Sequence, residues 1–187
     1  MNPYLFLDTE TGGLDPRRHS LLSLGLVAGD AAGIAESLEI LVRHGTYGVT
    51  GGGMKVNRID IAAHHEQALA PAAALEALDG FLARHYPAEA AVILVGHNIA
   101  FDRAFLGAFL ETQGRDLEPR FSHRAIDTHS VAAALQDAGR IPAEVRLSST
   151  GLFAHFGILV PEAQRHTALG DAVATFNLYW KLVETAR

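Results

Sequence analysis

The chain contains no cysteine. That excludes disulfides and thiolate metal sites, and it fits the cytoplasmic location expected here. Lysine is almost missing: only Lys55 and Lys181 occur, so basic charge rests on arginine. Arg17-Arg18 is the one adjacent basic pair, and no longer basic run exists. Acidic residues outnumber basic ones, 21 to 15, for a formal net charge of -6. This balance argues against a strong non-specific grip along duplex nucleic acid, which needs many phosphate contacts. It leaves open a site that holds one chain end through metal ions. No apolar run approaches a membrane span, and the N-terminus lacks the basic-then-apolar pattern of a secretory signal. No membrane partner is expected. Gly51-Gly52-Gly53 is not followed by the Lys-Ser/Thr pair of a phosphate-binding P-loop, and reads as a flexible loop.

What is present fits one globular domain over residues 1–187, with 49% hydrophobic and 19% charged residues. Pro3–Thr9, Leu21–Ala28 and Ile34–Val42 read as strands with short connections, hence an antiparallel meander. Arg43–Asn57 reads as irregular. His64-His65 diverge on a helix and read as a solvated pair. Pro71–Tyr86 carries helical spacing at Leu75, Leu78, Phe81 and Leu82, and Pro87 stops it. Ala91–Val95 is a short, fully apolar strand, and Asn98 reads as the cap of the helix after it. Ala125–Thr128 reads as a fifth strand running into a helix. Ser149 reads as the cap of a short helix, and Thr167–Thr185 as the last one. Strands alternate with helices only after the meander, which predicts an α/β fold with a mixed sheet flanked by helices.

Acidic residues stand at the edges of these elements. Asp8 and Glu10 alternate on a strand and so share a face. Two carboxylates side by side on an apolar strand resist burial, and a hard divalent cation offsets both charges. Alone, Asp8 reads equally as a strand-end turn residue and Glu10 as a solvated acid. Asp102 opens a helix among Phe101, Phe105 and Leu106, and Asp171 lies one turn into the last helix. Each alone reads as an acid favoured by the helix dipole. His166 precedes the last helix on an entry loop. Taken together, four acids and one histidine meet the needs of two-metal phosphoryl hydrolysis: carboxylates to hold two ions, and an imidazole to take a proton from water. Oxygen donors favour Mg²⁺ or Mn²⁺ over zinc.

Three stretches, Asp8-Thr9-Glu10-Thr11-Gly12-Gly13-Leu14, His97-Asn98-Ile99-Ala100-Phe101-Asp102 and His166 to Asp171, resemble the motifs of DnaQ-like, DEDDh-type 3′→5′ exonucleases, in the family's order. The resemblance spans Leu5 to about Trp180. It implies a ribonuclease-H-like fold: a five-stranded mixed sheet, first three strands antiparallel, flanked by helices. It implies that Asp8, Glu10, Asp102 and Asp171 ligate two Mg²⁺ or Mn²⁺ ions and that His166 is the general base. It further implies that Thr11, Gly12, Gly13 and Leu14 hold the terminal nucleotide, with Asn98 and Phe101 supporting the site. The expected substrates are 3′ ends of single-stranded DNA, RNA or short oligonucleotides, and the product a 5′-mononucleotide. Asp127 reads as a cap on the helix that follows, and His97 and His129 as scaffold.

The glycine-rich Arg43–Asn57 segment carries no clear family signature, so substrate preference is not legible there. The chain ends soon after the last helix, without a long polar tail of the kind that ties a proofreading subunit to a polymerase. A stand-alone exonuclease is therefore expected. The alternatives are a proofreading exonuclease in a polymerase assembly and a non-catalytic nucleic-acid-binding relative.

Overall fold

A computed structural model describes residues 3–187. Five strands form one sheet: β1 (Tyr4–Thr11), β2 (Leu21–Asp30), β3 (Gly33–Leu41), β4 (Val92–Gly96) and β5 (Phe121–Asp127), in the order β3-β2-β1-β4-β5. The β1–β2 and β2–β3 pairs are antiparallel, as the short connections predict. The β1–β4 and β4–β5 pairs are parallel, so helices must carry the chain back across the sheet.

Among the described residues, seven α-helices flank the sheet: α1 (Gly51–Asn57), α2 (Ile61–Gln67), α3 (Pro71–His85), α4 (Ala100–Thr112), α5 (Thr128–Asp137), α6 (Ser149–His155) and α7 (Ala168–Thr185). The alternation of β1 divides the core. Leu5 and Leu7 pack with Leu78, Phe81, Phe105 and Leu106 on the α3/α4 face. Phe6 packs with Val27, Phe176 and Tyr179 on the α7 face. Asp8 and Glu10 continue the Phe6 row, so both look toward α7.

Four details depart from the sequence expectations. Gly51–Gly53 is no loop but the first turn of α1. The Thr50 side chain accepts from the Gly53 N–H and so supplies the cap that the glycines lack. His64 is buried, its Nε2 3.1 Å from the Val42 carbonyl oxygen, while His65 stays exposed. A short helix, α2, turns the first inward and the second out. Asn98 does not cap α4. It stands outside that helix at φ 60, its N–H donating to Asp127 Oδ1. The cap of α6 is Ser148, one residue before the one expected. Asp127 does cap α5, accepting from the His129 N–H and the Ser130 hydroxyl.

Candidate active site

The sheet and α7 bring the acids together. Asp8 and Glu10 reach the α7 face from the end of β1, and Asp171 meets them from the first turn of α7. One carboxylate oxygen from each of the three lies within 4.8 Å of the others. The close approach of α7 has a local cause. Gly25 pairs with Asp8 across β1–β2, and a Cβ on it would stand 2.0 Å from the Ala168 carbonyl oxygen. Only a glycine lets α7 start this near the sheet. Glu39 pairs with Gly25 across β2–β3, and its carboxylate is favoured by the nearby Leu169 backbone N–H at the same helix start. Neither residue is marked by the sequence motifs. Both become legible only once strand register is known.

Asp102 comes from the other side. It sits in the first turn of α4, is 4% exposed, and accepts a 2.7 Å hydrogen bond from the Thr9 hydroxyl. Thr9 faces α4 because it alternates with Asp8 and Glu10. Asp102 is thus outside the three-carboxylate cluster, yet its charge acts on Asp8 and Glu10.

The electrostatics are unfavourable without a counter-charge. Burial, then the charges of Asp102, Asp171 and Glu10, hold Asp8 well above the usual carboxylate range. Burial, then Asp171, Asp102 and Glu39, push Glu10 up to about 8. Burial raises Asp102 to about 7 against the opposing Thr9 hydrogen bond. Burial also raises Asp171, against the charges of His166 and Arg165. A like-charge pair at this spacing costs about 3 kcal/mol at an effective dielectric of 20. The cluster therefore stores repulsion that a cation relieves.

Beside the cluster lies a pocket of about 400 Å³ lined by Glu10, Leu14, Val56, Asn57 and Phe101, among others. Leu14 and Val56 are 85% and 62% exposed, so apolar surface faces solvent at its rim. Thr11 and Gly13 also line it, the Thr11 hydroxyl donating to the Gly13 carbonyl. Gly12 lies behind, its carbonyl accepting from the Thr50 N–H. The α1 wall is held by Asn57, which donates from Nδ2 to the Thr11 carbonyl, and by Gly53, where a Cβ would stand 2.7 Å from Gly12 O. This wall was missed from sequence because a triple glycine shows no helical period. The Thr50 cap was its one available signal. Asn98 does not line the pocket.

His166 is half-buried in the turn before α7, five positions before Asp171. Its φ is 60, and among the described residues the other non-glycine positions with positive φ are Arg58 at 57 and Asn98 at 60. Arg58 ends α1, Asn98 stands just before α4 and His166 just before α7. Such conformations cost roughly 1–2 kcal/mol each and concentrate at functional sites.

Solved structures share this fold to different extents. Escherichia coli exonuclease I, solved with a dT13 oligonucleotide, superimposes with a TM-score of 0.79 at 15% identity, over 97% of this chain and 41% of that one. Its zinc-bound complex with single-stranded DNA gives 0.80 at 18%, over 98% and 40%. Exonuclease X, solved with 5′-overhanging duplex DNA, gives 0.65 at 20%, over 98% and 92%. A DNA polymerase III subunit epsilon-like protein of Rhodobacter capsulatus is 36% identical over 99 residues, 53% of this chain but 13% of that protein. The chain thus spans well under half the length of that relative and of exonuclease I. The sequence profile of the RNase T exonuclease family matches residues 5–179. With nearly the whole chain matched and the five-stranded sheet in place, the protein belongs to this DnaQ-like exonuclease family.

Proposed function

We propose that the chain is a single metal-dependent 3′→5′ exonuclease domain. It releases 5′-mononucleotides from 3′ ends of single-stranded DNA, RNA or short oligonucleotides. The observation that carries this reading is that Glu10 belongs both to the carboxylate cluster and to the nucleoside-sized pocket. A pocket of about this volume holds one small ligand, and its neighbour across Glu10 is the place for a scissile phosphate.

The donor set fits divalent cations. It is all oxygen, which suits Mg²⁺ or Mn²⁺, and its raised pKa values are what an unneutralised acid cluster produces. Asp8, Glu10 and Asp171 would hold two such ions, with Asp102 completing the set directly or through water. When bound, they supply Lewis-acid activation of water and offset charge on the phosphate.

The chain's own residues do the remaining work. Leu14, Val56 and Phe101 hold the terminal base by apolar contact, which tolerates any base because every base has an apolar face. Glu10 accepts a hydrogen bond from the 3′-hydroxyl. The His166 imidazole takes the proton of the attacking water, and the 3′ oxygen of the next nucleotide leaves with the chain. Asp171, one turn into α7, steadies the imidazolium that forms. A polymerase-bound proofreading role is the second reading, favoured by the Rhodobacter capsulatus relative. Co-purification with a polymerase subunit and faster removal of a mispaired primer end would establish it.

The test is a time course on 5′-labelled DNA and RNA oligonucleotides with Mn²⁺ or Mg²⁺, an EDTA arm and an Asp8→Ala control. A ladder shortening from the 3′ end, absent with EDTA and in the variant, is the expected result. Intact strands in every arm with folded wild-type protein would overturn the reading.

A further inference from the structure

The turn before α7 is tied to three other elements. A single 3₁₀ turn, Glu162–Gln164, leads into Arg165 and His166. Its end rests on α7. The Gln164 carbonyl accepts from the Thr167 hydroxyl at 3.0 Å, and a Cβ on Gly170 would stand 2.0 Å from the same carbonyl oxygen. Its side chains reach outward. Arg165 donates from Nη2 to the Thr150 hydroxyl on α6 at 3.1 Å, and Glu162 Oε1 lies 3.9 Å from Arg58 Nη1. His166 follows at once, and its charge and its backbone N–H both favour the Asp171 carboxylate. Where this turn sits therefore decides where the imidazole stands relative to the acids.

Arg58 belongs to the nucleotide pocket. It is the C-cap of α1, at φ 57, and its N–H donates to the Met54 carbonyl at 3.0 Å. The two residues before it, Val56 and Asn57, line the pocket, and Asn57 is fixed to the Thr11 carbonyl. The Arg58–Glu162 pair thus runs from the pocket wall to the turn that carries His166. Among the described residues, no other salt bridge or side-chain hydrogen bond joins α1 or its cap to the segment from Pro161 to Thr167. The two side chains are 73% and 90% exposed. A pair this open to water is weak and is screened by salt. It biases the turn without locking it.

We propose that Arg58 and Glu162 are positioning residues, whose ion pair straps the His166 turn to the α1 wall and so holds the imidazole in place for the attacking water. The inference rests on the reading of His166 as the base. Without the strap, a smaller fraction of the protein has the imidazole in place, and turnover falls with that fraction. Substrate binding is spared, because Leu14, Val56 and Phe101 still hold the terminal base. A guanidinium that gripped a substrate phosphate directly would behave differently. Its loss would raise KM, and the loss of Glu162 would free it to bind better.

The test uses Arg58→Gln, Glu162→Gln, the two combined, and the charge exchange Arg58→Glu/Glu162→Arg. The substrate is thymidine 5′-p-nitrophenyl phosphate with Mn²⁺. Water adds to its phosphorus, His166 takes the water's proton, and p-nitrophenolate leaves with the electrons of the broken P–O bond. This ester has no second phosphodiester for Arg58 to meet. Each single variant should lower kcat about two- to fivefold, the range of an exposed ion pair, with KM unchanged. The combined Gln variant should fall no further, and the exchange should restore the wild-type kcat. The second readout needs no activity. Trypsin cleavage after Arg165 in EDTA, followed by mass spectrometry, reports how often the turn opens. The single Gln variants should speed this cut by a similar factor, and the combined one no more than either. Wild-type kcat and wild-type cleavage in both single variants would overturn the inference. So would additive losses in the combined variant, or a raised KM in Arg58→Gln. If wild type leaves the ester intact, the reading of the catalytic site fails. The cleavage cycle then decides alone: coupled acceleration supports the strap, and equal rates overturn it.

Discussion

Replacing Asp171 by Asn should stabilise the metal-free protein at alkaline pH while abolishing hydrolysis. The folded chain holds Glu10 at about 8 against an ordinary 4.5, so ionising it in place costs on the order of 4–5 kcal/mol. Burial is the first cause of that rise, and the Asp171 charge is the largest electrostatic one. A carboxylate whose folded pKa is raised contributes stability at low pH that is lost as pH climbs through the folded value. The cluster therefore weakens the metal-free fold between about pH 5 and 9. Asp171→Asn removes the charge that acts on both Asp8 and Glu10. We expect a gain of about 2 kcal/mol at pH 8.5 in EDTA, which raises Tm by roughly 4–8 °C for a chain of this size. At pH 5, where Glu10 and Asp102 hold their protons, the gain should shrink to near zero. Saturating Mn²⁺ reverses the order, because an ion at a hundred times its Kd stabilises only the protein that binds it, by about 2.7 kcal/mol. Thermal melts at the two pH values, with EDTA and with Mn²⁺, check all of this. A variant destabilised equally at pH 5 and 8.5 in EDTA would refute the repulsion argument.

Mn²⁺ affinity should rise from pH 6 to pH 8 with proton release on binding, because Glu10 and Asp102 must give up protons held up to about 8 and 7; calorimetry in buffers of different ionisation enthalpy reads the protons directly. Gly25→Ala drives a methyl group into the Ala168 carbonyl and should displace the start of α7, costing about 1–3 kcal/mol of stability and weakening Mn²⁺ binding although no ligand is changed. Asn57→Ala removes the buried bond to the Thr11 carbonyl and should cost about 1–3 kcal/mol, with KM raised more than kcat is lowered, since the loss falls on the pocket wall. Thr9→Val leaves Asp102 without its hydroxyl donor. It should lower activity while a circular dichroism spectrum stays unchanged, because the side-chain volume is kept.

Much of the molecule follows from the sequence alone. The meander is encoded locally, by apolar runs closed with short turns, and β1 to β3 form it. The long helices α3, α4 and α7 show their apolar period directly. The placing of Asp8 and Glu10 on one face follows from strand alternation, and that of Asp171 one turn into a helix from the apolar period beginning near Thr167, which the structure shows to be its cap. What these local patterns omit is which faces meet. Only the tertiary structure decided that Asp8, Glu10 and Asp171 form one cluster on the α7 side, while Asp102 approaches through Thr9 from the α4 side. It decided that Gly51–Asn57 is a helix, because the stabilising contacts of that segment, Thr50 and Gly53 against Gly12 and Asn57 on Thr11, lie about forty residues away in the chain. It buried His64 against the Val42 carbonyl and left its neighbour exposed, a choice that no property of a His-His pair makes. The chemistry of single residues and the period of their neighbours are local quantities, and sequence carries them. Close approach between distant backbones, as at Gly25 and Ala168, depends on register and packing, and appears only when the chain is folded.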